Sequence, residues 1–150
     1  MATIGHVEWT EHALTRLADA GYRRGGARTA VVETLGRQSC AVSARDIDDL
    51  LRDQGKTIGR ASVYRTLETL AELKLVQRLD LGSGEKRYEA HRPGGEHHHH
   101  LVCDRCGLVQ PFEDPDLERV LERLAGRVDY AVDEHDVVLH GACGDCRNAA

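Results

Sequence analysis

Two Cys-x-x-Cys pairs, Cys103/Cys106 and Cys143/Cys146, constrain the fold of this chain more than any other feature. Thiolates at that spacing grip one side of a borderline-soft metal ion, and two such knuckles complete the closed tetrahedral sulfur shell of structural zinc. Thirty-six residues separate Cys106 from Cys143, so the metal closes a loop long enough to be a small subdomain. The first residues show no secretory n-region and h-region pattern, and no apolar run is long enough to span a bilayer. The expectation is a cytoplasmic protein without a membrane partner, in surroundings that favour metal over disulfides.

Residues 97–100 are four consecutive histidines, just ahead of Cys103. Side chains alternate along an extended strand, so His97 and His99 face one way and His98 and His100 the other. One strand can therefore serve two separate metal sites.

A chain of 150 residues holds one medium domain or two small ones. Its net charge is −5, unevenly distributed. Residues 1–89 carry fourteen Lys and Arg against thirteen Asp and Glu, whereas residues 90–150 carry six against twelve, with seven of the nine His and four of the five Cys. This asymmetry predicts a contact half and a metal half. The near-neutral first half is only permissive for nucleic acid, so the case for DNA rests on the motif.

Trp9, Ala13, Leu14, Leu17 and Ala18 mark a first helix ending at Gly21, and a second spans about 27–35. Arg28 starts the second, where it can reach a phosphate. Ser43 and Asp46 have capping-box spacing for a third helix to about Gln54, with Ile47, Leu50 and Leu51 inward. A fourth helix runs over about 60–73 with the apolar stripe Val63, Leu67 and Leu70, and Arg60, Tyr64 and Glu68 on a polar face. Two short strands, 76–81 and 85–89, then flank a glycine turn. Helices followed by such a hairpin are the order of a winged helix-turn-helix, in which the last helix enters the major groove and the hairpin lies against the backbone. Ser62 and Tyr64 would contact base edges or thymine methyls, and Arg60 and Arg65 bases or phosphates.

Pro and paired Gly within 90–96 predict a linker. Beyond it, 109–112 reads as a strand, Pro115 opens a helix with the stripe Leu117, Val120, Leu121 and Leu124, and Val137, Val138 and Leu139 form a further strand. This unit is too small to bury much surface alone, so zinc and a partner subunit are both expected to support it. The fold class is α+β: a winged helix-turn-helix over 1–89, a linker over 90–96, and a small α/β dimerisation domain with its four-cysteine structural zinc over 97–150.

The segment 58–67 (IGRASVYRTL), the histidine run and the two Cys pairs, taken in order, resemble the ferric uptake regulator (Fur) family of bacterial metal-dependent transcription factors. The resemblance runs from about Ala27 to Cys146. It implies a homodimer on double-stranded DNA at an AT-rich palindromic operator, usually repressing when metal-loaded, and it assigns the four Cys to the structural zinc. It further implies a site within the dimerisation domain formed by His97, His99, Glu118 and His135, and a regulatory hinge site formed by His98 and His100 with Glu89. Where many relatives carry a His before the third helix, this chain has Ala41 preceded by Cys40. Cys40, Glu89 and His91 are therefore alternatives for the remaining hinge positions.

A Cys ligand would favour Zn(II) at the regulatory site, with Fe(II) or Mn(II) as alternatives. The leading expectation is a zinc-responsive regulator of metal homeostasis genes, with the zinc uptake regulator (Zur) branch as the candidate, against an iron-responsive or peroxide-sensing one. A zinc enzyme needs an open coordination position and a nearby base, and the chain lacks His-Glu-x-x-His and the deaminase signature, so no enzymatic activity is expected. A zinc-storage module would leave the helix-turn-helix half without a purpose.

Overall fold

The computed structural model describes residues 2–82, 84–92 and 97–149. The chain divides into two compact units, Met1–Gly95 and Glu96–Ala150. Of the expected linker, 93–96 lies outside the described residues, as does Ser83 of the glycine turn. The start of that linker belongs to the first unit: Ala90 is paired in a strand, the His91 N–H donates to Leu75 O (2.9 Å), and the Arg92 guanidinium donates to Gly36 O (3.0 Å).

In the first unit, α1 (Ala2–Asp19) and α2 (Gly26–Gly36) precede the short strand β1 (Val42–Ser43), followed by α3 (Ala44–Asp53) and α4 (Arg60–Glu72). The hairpin is β2 (Val76–Asp80) and β3 (Lys86–Ala90), and the antiparallel sheet has the order β1-β3-β2. Trp9, Ala13, Leu14 and Leu17 are buried as the stripe predicts, whereas Ala18 is exposed on the flank. The Trp9 indole N–H donates to Leu75 O at 3.0 Å, tying α1 to the entry of the hairpin. Gly36 ends α2 against α1, where a Cβ would run into the Thr10 hydroxyl and the Trp9 ring.

The capping box at α3 is complete: Ser43 Oγ accepts the Asp46 N–H (3.1 Å) and Asp46 Oδ2 accepts the Ser43 N–H (2.9 Å). Of the expected inner face of α3, Ile47 and Leu51 are buried, but Leu50 is half-buried and Asp48 is turned inward beside them. Val63, Leu67 and Leu70 seat α4 on the core. The hairpin strands end one residue earlier and start one later than the sequence suggests. Asp80 Oδ1 accepts the Gly82 N–H (3.0 Å), so the turn begins at Asp80.

In the second unit, β4 (His99–Cys103) is the central strand between antiparallel β5 (Val109–Phe112) and parallel β6 (Val138–Gly141). Between β5 and β6 lies α5 (Pro115–Arg127), and α6 (Gly144–Asn148) follows Cys143. Asp114 caps α5 by accepting the N–H groups of Asp116 (2.8 Å) and Leu117 (3.2 Å), and Pro115 occupies the first turn. The stripe of α5 is only partly covered: Leu117 and Leu121 are half-buried, while Val120 and Leu124 are 45% and 44% exposed. Among the described residues the buried set of this unit is Val102, Cys103, His99 and His100. Such a core leaves stability to metal and partner.

Candidate metal centre

The four cysteines converge with all their sulfurs within 4.8 Å of one another. The turn after β4 folds back so that Cys103 Sγ accepts the backbone N–H groups of Cys106 (3.5 Å) and Cys143 (3.3 Å). The Arg105 guanidinium donates to Cys146 O (2.7 Å), fastening one knuckle to the other. Cys106 Sγ and Cys143 Sγ are 3.8 Å apart. A tetrahedral zinc with bonds of about 2.3 Å holds its sulfurs ~3.8 Å apart, so the cluster fits that ion. The N–H of Cys106, then that of Cys143, pulls the Cys103 thiol down to about 6. Its neighbours Cys143, Cys103 and Cys106 push Cys146 up to about 12. Four thiolates this close repel one another, and a divalent cation removes the conflict.

His97, His99, Glu118 and His135 also bring a ligand atom each within 4.8 Å of the others. His99 is fully buried, and its Nδ1 accepts the Val137 N–H (3.2 Å), which fixes the ring. Its Nε2 lies 2.5 Å from Glu118 Oε1. His135 Nε2 is 2.6 Å from Glu118 Oε2 and 3.1 Å from His97 Nε2. The hydrogen bond with His99, and after it that with His135, outweighs desolvation and holds the Glu118 carboxyl below its usual range. The carboxylate is thus ionised and the imidazoles share it, a donor set of three nitrogens and an oxygen that suits zinc and neighbouring divalent ions.

The expected hinge ligands divide between the two units. In the second, His98 and His100 meet edge to face with ring centroids 5.1 Å apart, and His100 Nδ1 lies 3.6 Å from Asp136 Oδ1. In the first, Cys40 is half-buried and Glu89 buried on β3, with the thiol and a carboxylate oxygen within 4.8 Å of each other. His91 is exposed and belongs to no ligand cluster among the described residues.

Of the expected DNA contacts, Tyr64 is 49% exposed on α4 and Arg65 is exposed. Arg65 donates to Ser62 Oγ (3.2 Å), so these two side chains form one surface. The Arg28 guanidinium lies 5.0 Å over the Tyr22 ring, a cation–π contact at the start of α2. Arg60 donates through Nε to Asp48 Oδ2 (3.4 Å). Glu68, on the polar face of α4, accepts the Tyr88 hydroxyl (2.7 Å) and the Arg78 guanidinium (2.8 Å), linking α4 to both hairpin strands. Burial first, then the bond to Glu68, raises the Tyr88 phenol above its ordinary value.

Sequence reasoning did not find Asp48, Asp136 or the Val137 N–H. Asp48 left one trace, an acidic residue between the inward-facing Ile47 and Leu51. No helix among the described residues is long and apolar enough to cross a membrane.

The Ferric uptake regulator family matches residues 19–140 of this chain. The ferric uptake regulation protein of Bacillus subtilis (strain 168) is 37% identical over 133 residues, covering 87% of this chain and 89% of that protein. Its counterpart in Neisseria gonorrhoeae is 30% identical over 135 residues, covering 89% and 92%. Among solved structures, the Vibrio cholerae ferric uptake regulator superposes with a TM-score of 0.76 at 32% identity, covering 85% of this chain and 96% of that one. The Helicobacter pylori ferric uptake regulator, described as having three functional metal binding sites, reaches 0.83 at 25% identity and covers 96% and 95%. The match spans the helix-turn-helix with its wing and the histidine-bearing sheet of the second unit, and on it the chain belongs to the ferric uptake regulator family of metal-responsive, DNA-binding transcription regulators.

Proposed function

We propose that this member of the family is a zinc-responsive repressor of metal homeostasis genes, acting in the cytoplasm as a homodimer on an AT-rich palindromic operator and carrying no enzymatic activity. The observation that carries the zinc reading is Cys40, whose thiol lies within 4.8 Å of a Glu89 carboxylate oxygen in the first unit. A thiolate donor leans toward zinc, whereas imidazole serves zinc and iron alike and oxygen-rich sets take harder ions. The four-cysteine cluster takes a structural Zn(II). A regulatory Zn(II) is held by His98 and His100 with Cys40, Glu89 or His91, and the linker that follows Arg92 acts as the hinge between the DNA-binding and dimerisation domains. Metal that binds the DNA-competent arrangement more tightly than the alternatives shifts the population toward it. Arg28, Arg60, Ser62, Tyr64 and Arg65 contact the duplex.

An iron-responsive or peroxide-sensing reading, with Fe(II) or Mn(II) at the regulatory site, is favoured by the ferric names of the relatives. Fluorescence anisotropy of an AT-rich palindromic duplex, at fixed salt and with free Zn(II), Fe(II) or Mn(II) buffered in parallel, separates the two. Tightening by low free zinc alone, lost in Cys40→Ser while the structural zinc is retained, is the expected result. Tightening by iron or manganese with Cys40→Ser silent overturns the zinc assignment.

A further inference from the structure

Asp48 is a carboxylate with 3% exposure on the inward face of α3. Burying such a group costs several kcal/mol unless it is paired, so its partners indicate its purpose. Its Oδ2 takes two arginines, Arg52 of the same helix at 3.1 Å and Arg60, the first residue of α4, at 3.4 Å. The Arg52 pair is a local i,i+4 contact within α3. The Arg60 pair crosses from α3 to α4, so Asp48 ties the Arg60 side chain to the inward face of the preceding helix.

A cation in the first turn of a helix opposes the helix dipole, and Gly59 supplies no capping side chain, so Arg60 does not serve the stability of α4. The bond to Asp48 uses Nε, which leaves the edge formed by the two Nη groups for a bidentate contact with guanine or phosphate. Arg60 remains 69% exposed while so held. Beside it is a cleft of about 110 Å³ whose lining includes Arg45, Tyr64 and Glu85 as well as Asp48 and Arg60.

We propose that Asp48 is a positioning residue for DNA recognition, fixing the Arg60 guanidinium at the start of the recognition helix before the duplex arrives. The inference rests on the reading of Arg60 as a DNA contact. Its mechanism is a lower ordering cost on binding, since a long side chain already held in its bound rotamer loses less freedom. It also predicts a sign. A negative charge near a polyanion, acting only through the field, weakens binding, and its removal tightens it. A positioning carboxylate does the reverse.

The test uses the zinc-loaded full chain and a duplex that the wild-type protein selects from a random-sequence library. Asp48→Asn is expected to weaken binding about tenfold and to flatten base preference at the same position as Arg60→Ala. In the Arg60→Ala background it should have no further effect. Unchanged or tighter binding by Asp48→Asn, with Arg60→Ala weakened, overturns the role of Asp48 alone. Wild-type affinity in Arg60→Ala overturns the Arg60 contact and the inference with it. Should Asp48→Asn fold poorly by Trp9 fluorescence, Asp48→Glu carries the test, with the same loss expected and the same dependence on Arg60.

Discussion

His99 on the central strand of the second unit and Glu118 on the helix α5 meet with Nε2 and Oε1 2.5 Å apart, although nineteen positions separate them in sequence. The strand buries the imidazole completely and the helix delivers the carboxylate from a partly exposed turn. The cluster thus has one rigid ligand and one that can adjust, joined by His97 and His135 at its edge.

Replacing Glu118 with Ala should empty this site while sparing the sulfur cluster. Metal content after dialysis in buffered zinc should fall by one ion per chain. The affinity loss should exceed the roughly 10–100-fold associated with losing an outer partner of a ligand.

Removing zinc from the four cysteines with a strong chelator should unfold the second unit and leave the first intact. Zinc bound by such shells contributes about 10–16 kcal/mol of apparent folding free energy, which the small buried set around Val102 cannot replace. Trp9 is the sole tryptophan and is buried in the first unit. Its fluorescence should hold steady while far-ultraviolet circular dichroism falls, and zinc should restore the signal.

The winged unit should weaken in alkali through Tyr88. Its phenol titrates above the ordinary value of about 10 when folded. The stability it contributes is complete below pH ~10 and is lost as the pH rises toward the folded value, because the unfolded chain ionises first. Denaturant melts followed by Trp9 fluorescence on both sides of that pH should show the decline. Tyr88→Phe should abolish it and cost about 1.5–3 kcal/mol at neutral pH, since Glu68 loses a donor.

Leu124→Glu should produce a monomer. Val120 and Leu124 lie exposed on α5, and Leu139 is 51% exposed on β6. A charge at Leu124 would oppose burial of that surface against a second copy. Sedimentation velocity should show half the mass, with the metal content of the four-cysteine site unchanged.

Much of this was legible in the sequence because the features are local. Two-residue alternation set the faces of the histidines, Cys-x-x-Cys spacing set the knuckles, and the Ser43/Asp46 spacing set the start of α3. What was not legible depended on partners distant in sequence. β1 is two residues long and exists because Val42 and Ser43 pair with Tyr88 and Arg87. Glu68 looks like a solvated helix charge until β2 and β3 bring Arg78 and Tyr88 to it. Helix α6 is only five residues long and follows the second knuckle. The stripe of α5 and the small unit's need for a partner were visible, but not which stripe residues stay exposed, namely Val120 and Leu124.

The paired facing of the histidine run has a consequence for how such a protein can change over generations. His97 and His99 pack ring against ring at 4.6 Å, and His98 and His100 form their own pair. Insertion of a single residue between His100 and Leu101, with Leu101–Cys103 kept in register, would exchange the faces of the two pairs and scramble both ligand sets at once. Lineages descended from this chain can therefore retune either site by substitution, but deletions and insertions in this strand are closed to them unless they come in twos.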